Sequence, residues 1–225
     1  MATSLTASGV VLPDATTQTT LYGSAQDQGG LISVTSYATA GTYTWTKPSG
    51  CTTVLVRLVG GGGGACGYCE SGGAGGYSEK VIDVTAVSTV SVTVGGGGAS
   101  AGYYQACANG GTSSFGAYCS ATGGYGANQI SSHSGGTGGI GSGGDINLLG
   151  GTGTGHANSS GHAPVGLGGT SYFGTSGAIN RATTSNKLYN GAPGAGGPGA
   201  RTDDGSGGAG IANGETGLVI VYAYT

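Results

Sequence analysis

Five cysteines and three histidines are the side chains with which this chain of 225 residues could hold a metal or do thiol chemistry. Cys66 and Cys69 stand at the CxxC spacing that suits half of a zinc or iron–sulfur site, or a redox pair. No second CxxC follows, so a four-ligand set would have to recruit Cys107 and Cys119 and leave Cys51 over. The same thiols suit a disulfide or buried inert cysteines, and the sequence leaves the three states open. His133, His156 and His162 lie in glycine-rich stretches without HxH or HExxH spacing. They read as polar loop residues, with an interchain metal on a symmetry axis as the alternative.

Hydrolysis would need converging carboxylates, or a nucleophile with its base. The nine acidic residues are scattered. Asp203 and Asp204, beside Arg201 in a glycine loop, read as a solvated tip. No GxxxxGK[ST] phosphate loop occurs, and GxGxxG matches carry no information where 55 residues are glycine. The expectation is a protein that is not an enzyme and takes no cofactor. The tyrosines suggest binding instead. Tyr103, Tyr104, Tyr118, Tyr125, Tyr172, Phe173 and Tyr189 sit among Gly, Ser and Asn. That is the composition of antibody-type binding loops, where a rigid amphipathic ring is presented by adaptable neighbours. The alternative is that some of these rings fill gaps between glycine segments or at a subunit interface. Tyr103, Tyr104, Tyr125, Tyr172, Phe173, Tyr189, Arg201, Asp203 and Asp204 are the expected receptor contacts.

These residues must be positioned by a chain whose dominant feature is glycine. Each glycine costs roughly 0.5–1 kcal/mol more than alanine to order in regular structure. Such a chain is either disordered or folded where only glycine fits. Thirteen tyrosines and 7% charged residues argue for folding. Strand signals punctuate the glycine. Residues 42–46 (TYTWT) alternate aromatic and polar, a turn follows at 47–50, and 53–59 (TVLVRLV) place Val54, Val56 and Leu58 on one face. Further strands are expected at 77–84, 90–94, 112–115, 117–119 and 217–225. Gly135, Gly138, Gly141 and Gly144, and again Gly191, Gly194 and Gly197, recur every third residue. Three residues per turn is the period of the polyproline II helix, whose bare glycine edge lets neighbours approach and hydrogen-bond laterally. The fold class expected is therefore all-β: a glycine-rich, β-sandwich-like domain with polyglycine II-type segments. Mobile surface loops are the alternative for those segments.

Net charge is −3 with only six Lys and Arg, so a nucleic-acid partner is not expected. No run of 18 apolar residues suggests a membrane-spanning helix. The opening MATSLTASGVVLPDATTQTT has no Lys or Arg and does not read as a secretory signal, which makes synthesis in a reducing cytoplasm the default.

The ordered set GTYTWTKPSGCTTVLVRLVGGGGG, GGAGGYSEKVIDV, VSVTVGGGG, GGTSSFGAYCSATGG and GLVIVYAYT resembles the glycine-rich C-terminal domains of tailed-bacteriophage tail fibres and adhesins. VVLPDATTQTTL also resembles a short PDGT-QTT segment of phage fibre chains, with Ala15 where glycine is usual. The resemblance covers about residues 10–20 and 39–225; the cysteines depart from it. It implies a virion protein assembled in the host cytoplasm, often trimeric. An arm at 1–38 would serve attachment or trimerisation, and a glycine-rich β domain at 39–225 would carry a loop or polyglycine region at about 123–210. Expected partners are two further copies in a homotrimer, a tail or baseplate protein at the N-terminus, and a host glycan or outer-membrane protein. A purely structural virion component is the alternative; a depolymerase is the weakest reading.

Overall fold

In a computed structural model, residues 30–67, 70–102, 105–128, 134–155, 166–176, 191–199 and 211–225 are described, with short backbone stretches at 4–6, 9–11, 17–18, 179–180 and 187–188. No helix occurs among the described residues. Strands β1 (Ser4–Thr6), β2 (Gly9–Val11) and β3 (Thr17–Gln18) form a small antiparallel meander. The body of the fold is built from β4 (Leu31–Tyr37), β5 (Gly41–Thr46), β6 (Thr53–Val59), β7 (Tyr77–Asp83) and β8 (Thr89–Val94). It continues with β9 (Ser113–Phe115), β10 (Cys119–Ala121), β11 (Gly141–Ser142) and β12 (Ile146–Leu148). After the short pair β13 (Ile179–Asn180) and β14 (Lys187–Leu188), β15 (Leu218–Tyr224) closes the chain.

Two antiparallel five-stranded sheets result, one in the order β11-β10-β9-β8-β5 and the other β12-β7-β6-β15-β4. Their inner faces make one core. Trp45, Val90, Val92, Phe115, Cys119 and Ala121 from the first sheet meet Val54, Val56, Leu58, Ile82, Val219 and Val221 from the second. Burial alternates along β6 and β15, since alternate residues of a strand share a face. Trp45 and Phe115 pack edge to face at 5.7 Å between ring centroids. The strand expected at 53–59 is β6, the central strand of its sheet, and the C-terminal strand β15 lies between β6 and the edge strand β4.

Strand β4 falls within the residues assigned by sequence to an N-terminal arm, and no strand was expected there. It pairs antiparallel with β15 from Val219↔Tyr37 to Ala223↔Ser33, the register shifts by one residue before Tyr224↔Leu31, and it is the edge of the second sheet. Its Ser and Thr positions weaken the apolar alternation by which strands are recognised.

The glycine segments are packed, not loose. Every backbone N–H from residue 60 to 65 donates to another segment at 2.8–3.1 Å, and the partner changes with a period of three. Gly60 and Gly63 donate to Gly76 and Gly73; Gly61 and Gly64 to Gly111 and Ala108; Gly62 and Ala65 to Glu215 and Ala212. Three further segments donate back. Gly124 and Ala127 reach the carbonyls of Gly61 and Gly64, Gly98 and Ala101 those of Gly62 and Ala65, and Gly197 that of Gly63. The helix at 60–65 therefore has six neighbours.

Residues 71–76 repeat the pattern. Ser71 and Ala74 donate to Thr154 and Gly151, Gly72 and Gly75 to Gly197 and Gly194, and Gly73 and Gly76 to Tyr125 and Thr122. This is hexagonal polyglycine II packing, with three residues per turn and all hydrogen bonds lateral. Glycine is required here by space. A Cβ on Gly60 or Gly63 would strike the carbonyl of Thr122 or Tyr125, on Gly61 or Gly64 that of Gly96 or Ala99, and on Gly62 that of Ala195. None of these five has a positive φ. The array is not confined to residues 123–210; it runs from residue 60 to residue 217 along the chain.

Candidate functional site: the far face of the glycine array

Strands β6, β7, β8 and β15 each adjoin a polyglycine segment directly. β6 continues into 60–65, and 71–76 returns into β7. In the same way 95–101 leaves β8 and 107–111 returns to β9, while 122–128 leaves β10 and 134–140 returns to β11. Residues 150–154 follow β12, and 211–217 enter β15. The array is thus five out-and-back pairs: 60–65 with 71–76, 95–101 with 107–111, 122–128 with 134–140, 150–154 with 166–170, and 194–199 with 211–217.

The outer segments show how side chains are distributed. In Ser134-Gly-Gly-Thr137-Gly-Gly-Ile140, the three non-glycine residues are all exposed, and Thr122 and Tyr125 repeat the spacing. Leu167 and Thr170 do the same on a third segment. One position in three faces solvent on an outer helix; on the two central helices none does. Sequence reasoning found the triplet series at Gly135 and Gly138, whose Cβ positions both abut the 150–153 backbone. Gly141 lies in β11 instead, and Gly194 takes φ +75° at a turn against Val59.

The ends remote from the sandwich meet on one face. Cys66 bridges Ala101 in parallel, and Ala106–Asn128, Asn128–Ser134 and Gly166–Gly199 bridge antiparallel. A disulfide joins Cys66 to Cys107 with Cα atoms 5.9 Å apart, cross-linking the first pair to the second. Ser71 Oγ accepts from Gly199 N–H, and Asn213 Oδ1 from Ser100 N–H. Five connections therefore start and finish on this face: 67–70, 102–105, 129–133, 155–165 and 200–210.

The expected site residues divide accordingly. Tyr103, Tyr104, Arg201, Asp203 and Asp204 lie outside the described residues, on connections whose described ends are at the far face. His133, His156, His162 and Cys69 also lie outside the described residues, on the same connections. Tyr189 too lies outside them, on the 177–190 connection. The described ends of that connection meet near the sandwich, where Ala192 N–H bonds the Thr175 carbonyl. Tyr125 is exposed on the flank of the array, its carbonyl accepting from Gly73.

Tyr172 and Phe173 are at the sandwich end. Tyr172 stacks on Tyr77 at 3.7 Å, and Phe173 meets both rings edge-on. Tyr77 donates its hydroxyl proton to Glu79 at 2.6 Å, and Arg57 Nε donates to the same carboxylate oxygen at 2.8 Å. Burial first, then hydrogen bonding to Glu79 and Tyr172, holds the Tyr77 hydroxyl far above its ordinary pKa. Phe173 and Tyr172 are thus tied to a sheet residue at the sandwich end.

The cysteine alternatives resolve in part. Cys66 pairs with Cys107 and not with Cys69, so neither Cys66 nor Cys107 is a thiolate ligand. Cys119 and Cys51 are free and buried in the sandwich core, away from the far face. Burial pushes the Cys119 thiol up to about 11, which keeps it protonated at neutral pH. Among the described residues no three His, Cys, Asp or Glu side chains come together as a metal site.

The fold is a β-sandwich whose strands run on into a hexagonal polyglycine array. The chain belongs to the glycine-rich domain family, whose model matches residues 37–224. Comparison with curated proteins found no match.

Proposed function

We propose that this protein is a bacteriophage tail-fibre adhesin that touches the host surface through the connections at the far face of its glycine array. The observation that supports this reading best is the convergence of five connections on one end of a laterally bonded scaffold. Those connections contain Tyr68, Tyr103, Tyr104, Arg201, Asp203 and Asp204, in a chain with few other charges. Aromatic rings with a few charged groups suit a glycan or the loops of an outer-membrane protein. A rigid base lowers the ordering cost of presenting them. Residues 1–29 would join the fibre or baseplate, and display of several copies would turn weak single contacts into stable adsorption.

The test is binding of the labelled full chain to intact host cells, with phage adsorption in competition. Saturable binding that slows adsorption is the expected result. The double variant Tyr103→Ala/Tyr104→Ala should bind at least about tenfold more weakly with an unchanged melting temperature, as for loss of central aromatic contacts. Tyr172→Ala, at the opposite end, should bind normally. A folded protein that neither binds nor competes, in virions that need it only for assembly, would establish the structural role instead.

A further inference from the structure

One flank of the array is a flat face that presents side chains on a regular grid. Residues 107–111, 122–128 and 134–140 lie side by side, joined by Gly110 N–H to the Gly124 carbonyl and Tyr125 N–H to the Thr137 carbonyl. The outer two rest on the central helices 60–65 and 71–76, and 122–128 bonds to both. Three helices in one layer over two adjacent ones make a plane. One residue in three points away from it, because the glycines between abut neighbouring backbone. The outward residues fall into rows about 9.3 Å apart, three residues at about 3.1 Å each. Asn109, Tyr125 and Thr137 are the middle row, where Gly126 N–H also bonds Asn109 Oδ1. Asn128 and Ser134 are bridged in the row nearer the far face, beside Ala106. Thr122 accepts from Ile140 N–H in the row nearer the sandwich, beside Thr112. All nine residues are exposed.

The same face continues over the first sheet. Val92, Phe115, Cys119 and Ala121 point into the core, so the alternate residues of their strands point out. The register sets Thr42, Thr93, Ser114, Ser120 and Ser142 in one row across all five strands. Two residues further along the chain, Ser120 leads to Thr122 and the grid begins.

The chemistry of these positions selects a ligand class. None of them is charged, hydroxyls and carboxamides dominate, and Tyr125 and Ile140, 55% and 61% exposed, are the large apolar members. Without cations the grid has nothing to hold a phosphate backbone or an acidic polymer. With so little apolar area it lacks the aromatic cluster that anchors a protein interface. A sugar chain matches both features. Its hydroxyls pair with Asn, Ser and Thr, and its C–H faces lie on an aromatic ring, whose π-face is negative. Short side chains on a laterally bonded base lose little freedom on binding. A flat surface suits an extended ribbon, the form of β-1,4-linked sugars, better than a coiled α-1,4-linked chain. We infer that this flank binds a neutral β-1,4-linked saccharide, with Tyr125 under one pyranose ring and Asn109 and Thr137 hydrogen-bonding on either side. This inference is independent of whether the far face binds a receptor.

Titration of the isotope-labelled full chain with cellohexaose, followed by amide chemical shifts, tests it. Saturable shifts centred on Asn109, Tyr125, Gly126 and Thr137 are expected, with a Kd of about 1 mM for an open site with one stacking ring. Maltohexaose, which is α-1,4-linked, should bind more weakly. Tyr125→Ala should weaken cellohexaose binding at least about tenfold. Thr137→Val, which removes a hydroxyl and keeps the outline, should weaken it about threefold. Both side chains are exposed, so melting temperatures should be unchanged. Tyr172→Ala, at the sandwich end, should bind like the wild type. An absence of shifts up to about 10 mM, well above the expected Kd, overturns the inference. Shifts centred elsewhere, or binding that survives Tyr125→Ala unchanged, overturn it too. Equal affinity for maltohexaose overturns the choice of a β-1,4-linked chain.

Discussion

Replacing Gly63 by alanine should be among the most damaging single-methyl changes in the molecule. Its Cβ would point straight at the Tyr125 carbonyl, inside the 3.0 Å that real Cβ atoms keep from other heavy atoms. The obstacle is backbone, so no rotamer change relieves it. The neighbouring helix would have to retreat by about 1 Å to reach ordinary contact. That helix is held by Gly124 donating to Gly61 at 2.9 Å and Ala127 donating to Gly64 at 3.0 Å, and it receives Gly73 at 2.9 Å. A 1 Å retreat breaks the first two bonds and strains the third. Overpacking by one methyl costs about 1–3 kcal/mol, and each lost hydrogen bond about 1 kcal/mol more. The sum is about 4 kcal/mol, which for a chain of this size lowers the melting temperature by about 8–16 °C. Two glycines serve as controls. A Cβ on Gly96, also in the array, meets only the Ala40 methyl at 3.5 Å, and one on Gly102 meets nothing within 4 Å. Gly96→Ala and Gly102→Ala should stay within about 2 °C of the wild type or gain slightly, because alanine restricts the unfolded chain. Thermal unfolding followed by circular dichroism decides it. A Gly63→Ala protein as stable as Gly96→Ala would refute the claim that glycine in the array is there for lack of a side chain.

Other outcomes follow from the same geometry. The Cys66–Cys107 bond closes a 41-residue separation, worth about 4 kcal/mol of unfolded-state entropy; complete reduction should lower the melting temperature by several degrees, and no change would mean the array alone fixes the far face. Cys119 ionises near 9 when unfolded but at about 11 when folded; its contribution is therefore present below pH 9 and lost as pH rises towards 11. Cys119→Ala should flatten the fall in melting temperature over that window, and an unaltered slope would remove Cys119 as a cause. Tyr77→Phe keeps the stack on Tyr172 but deletes the donor to Glu79, and should cost about 1.5–3 kcal/mol in urea unfolding, the range for hydrogen bonds to charged groups.

The sandwich was readable because β5 and β8 alternate along the strand while β6 and β15 are short apolar runs adjoining glycine. β4 was not, since LISVTSY buries only alternate residues part-way and owes its place to the fully apolar β15 beside it. In the glycine regions the right conformation was legible and the wrong periodicity was sought. A helix touching one neighbour needs glycine every third residue, as in collagen. Residues 60–64 touch six neighbours, so all three directions are closed and glycine must be continuous. The true triplets are on the outer helices, as in Ser134-Gly-Gly-Thr137-Gly-Gly-Ile140. Tyr172 and Phe173 looked like their fellow tyrosines because nothing local announces that they stack on Tyr77, more than 90 positions earlier. The pairing of Cys66 with Cys107 over the nearer Cys69 follows from two segments being lattice neighbours, which spacing along the chain does not reveal.

The lateral bonding has a mechanical side. Gly30 and Thr225 meet at the end of the sandwich opposite the far face, where the Thr225 N–H bonds the Gly30 carbonyl. A pull applied at any connection is carried to that corner along helices whose hydrogen bonds all lie across the line of force. Such bonds are loaded in shear, many at once, and cannot open one after another like a zipper. The array would therefore act as a stiff tie-rod, with tension from one connection shared among all ten segments before it reaches the strands.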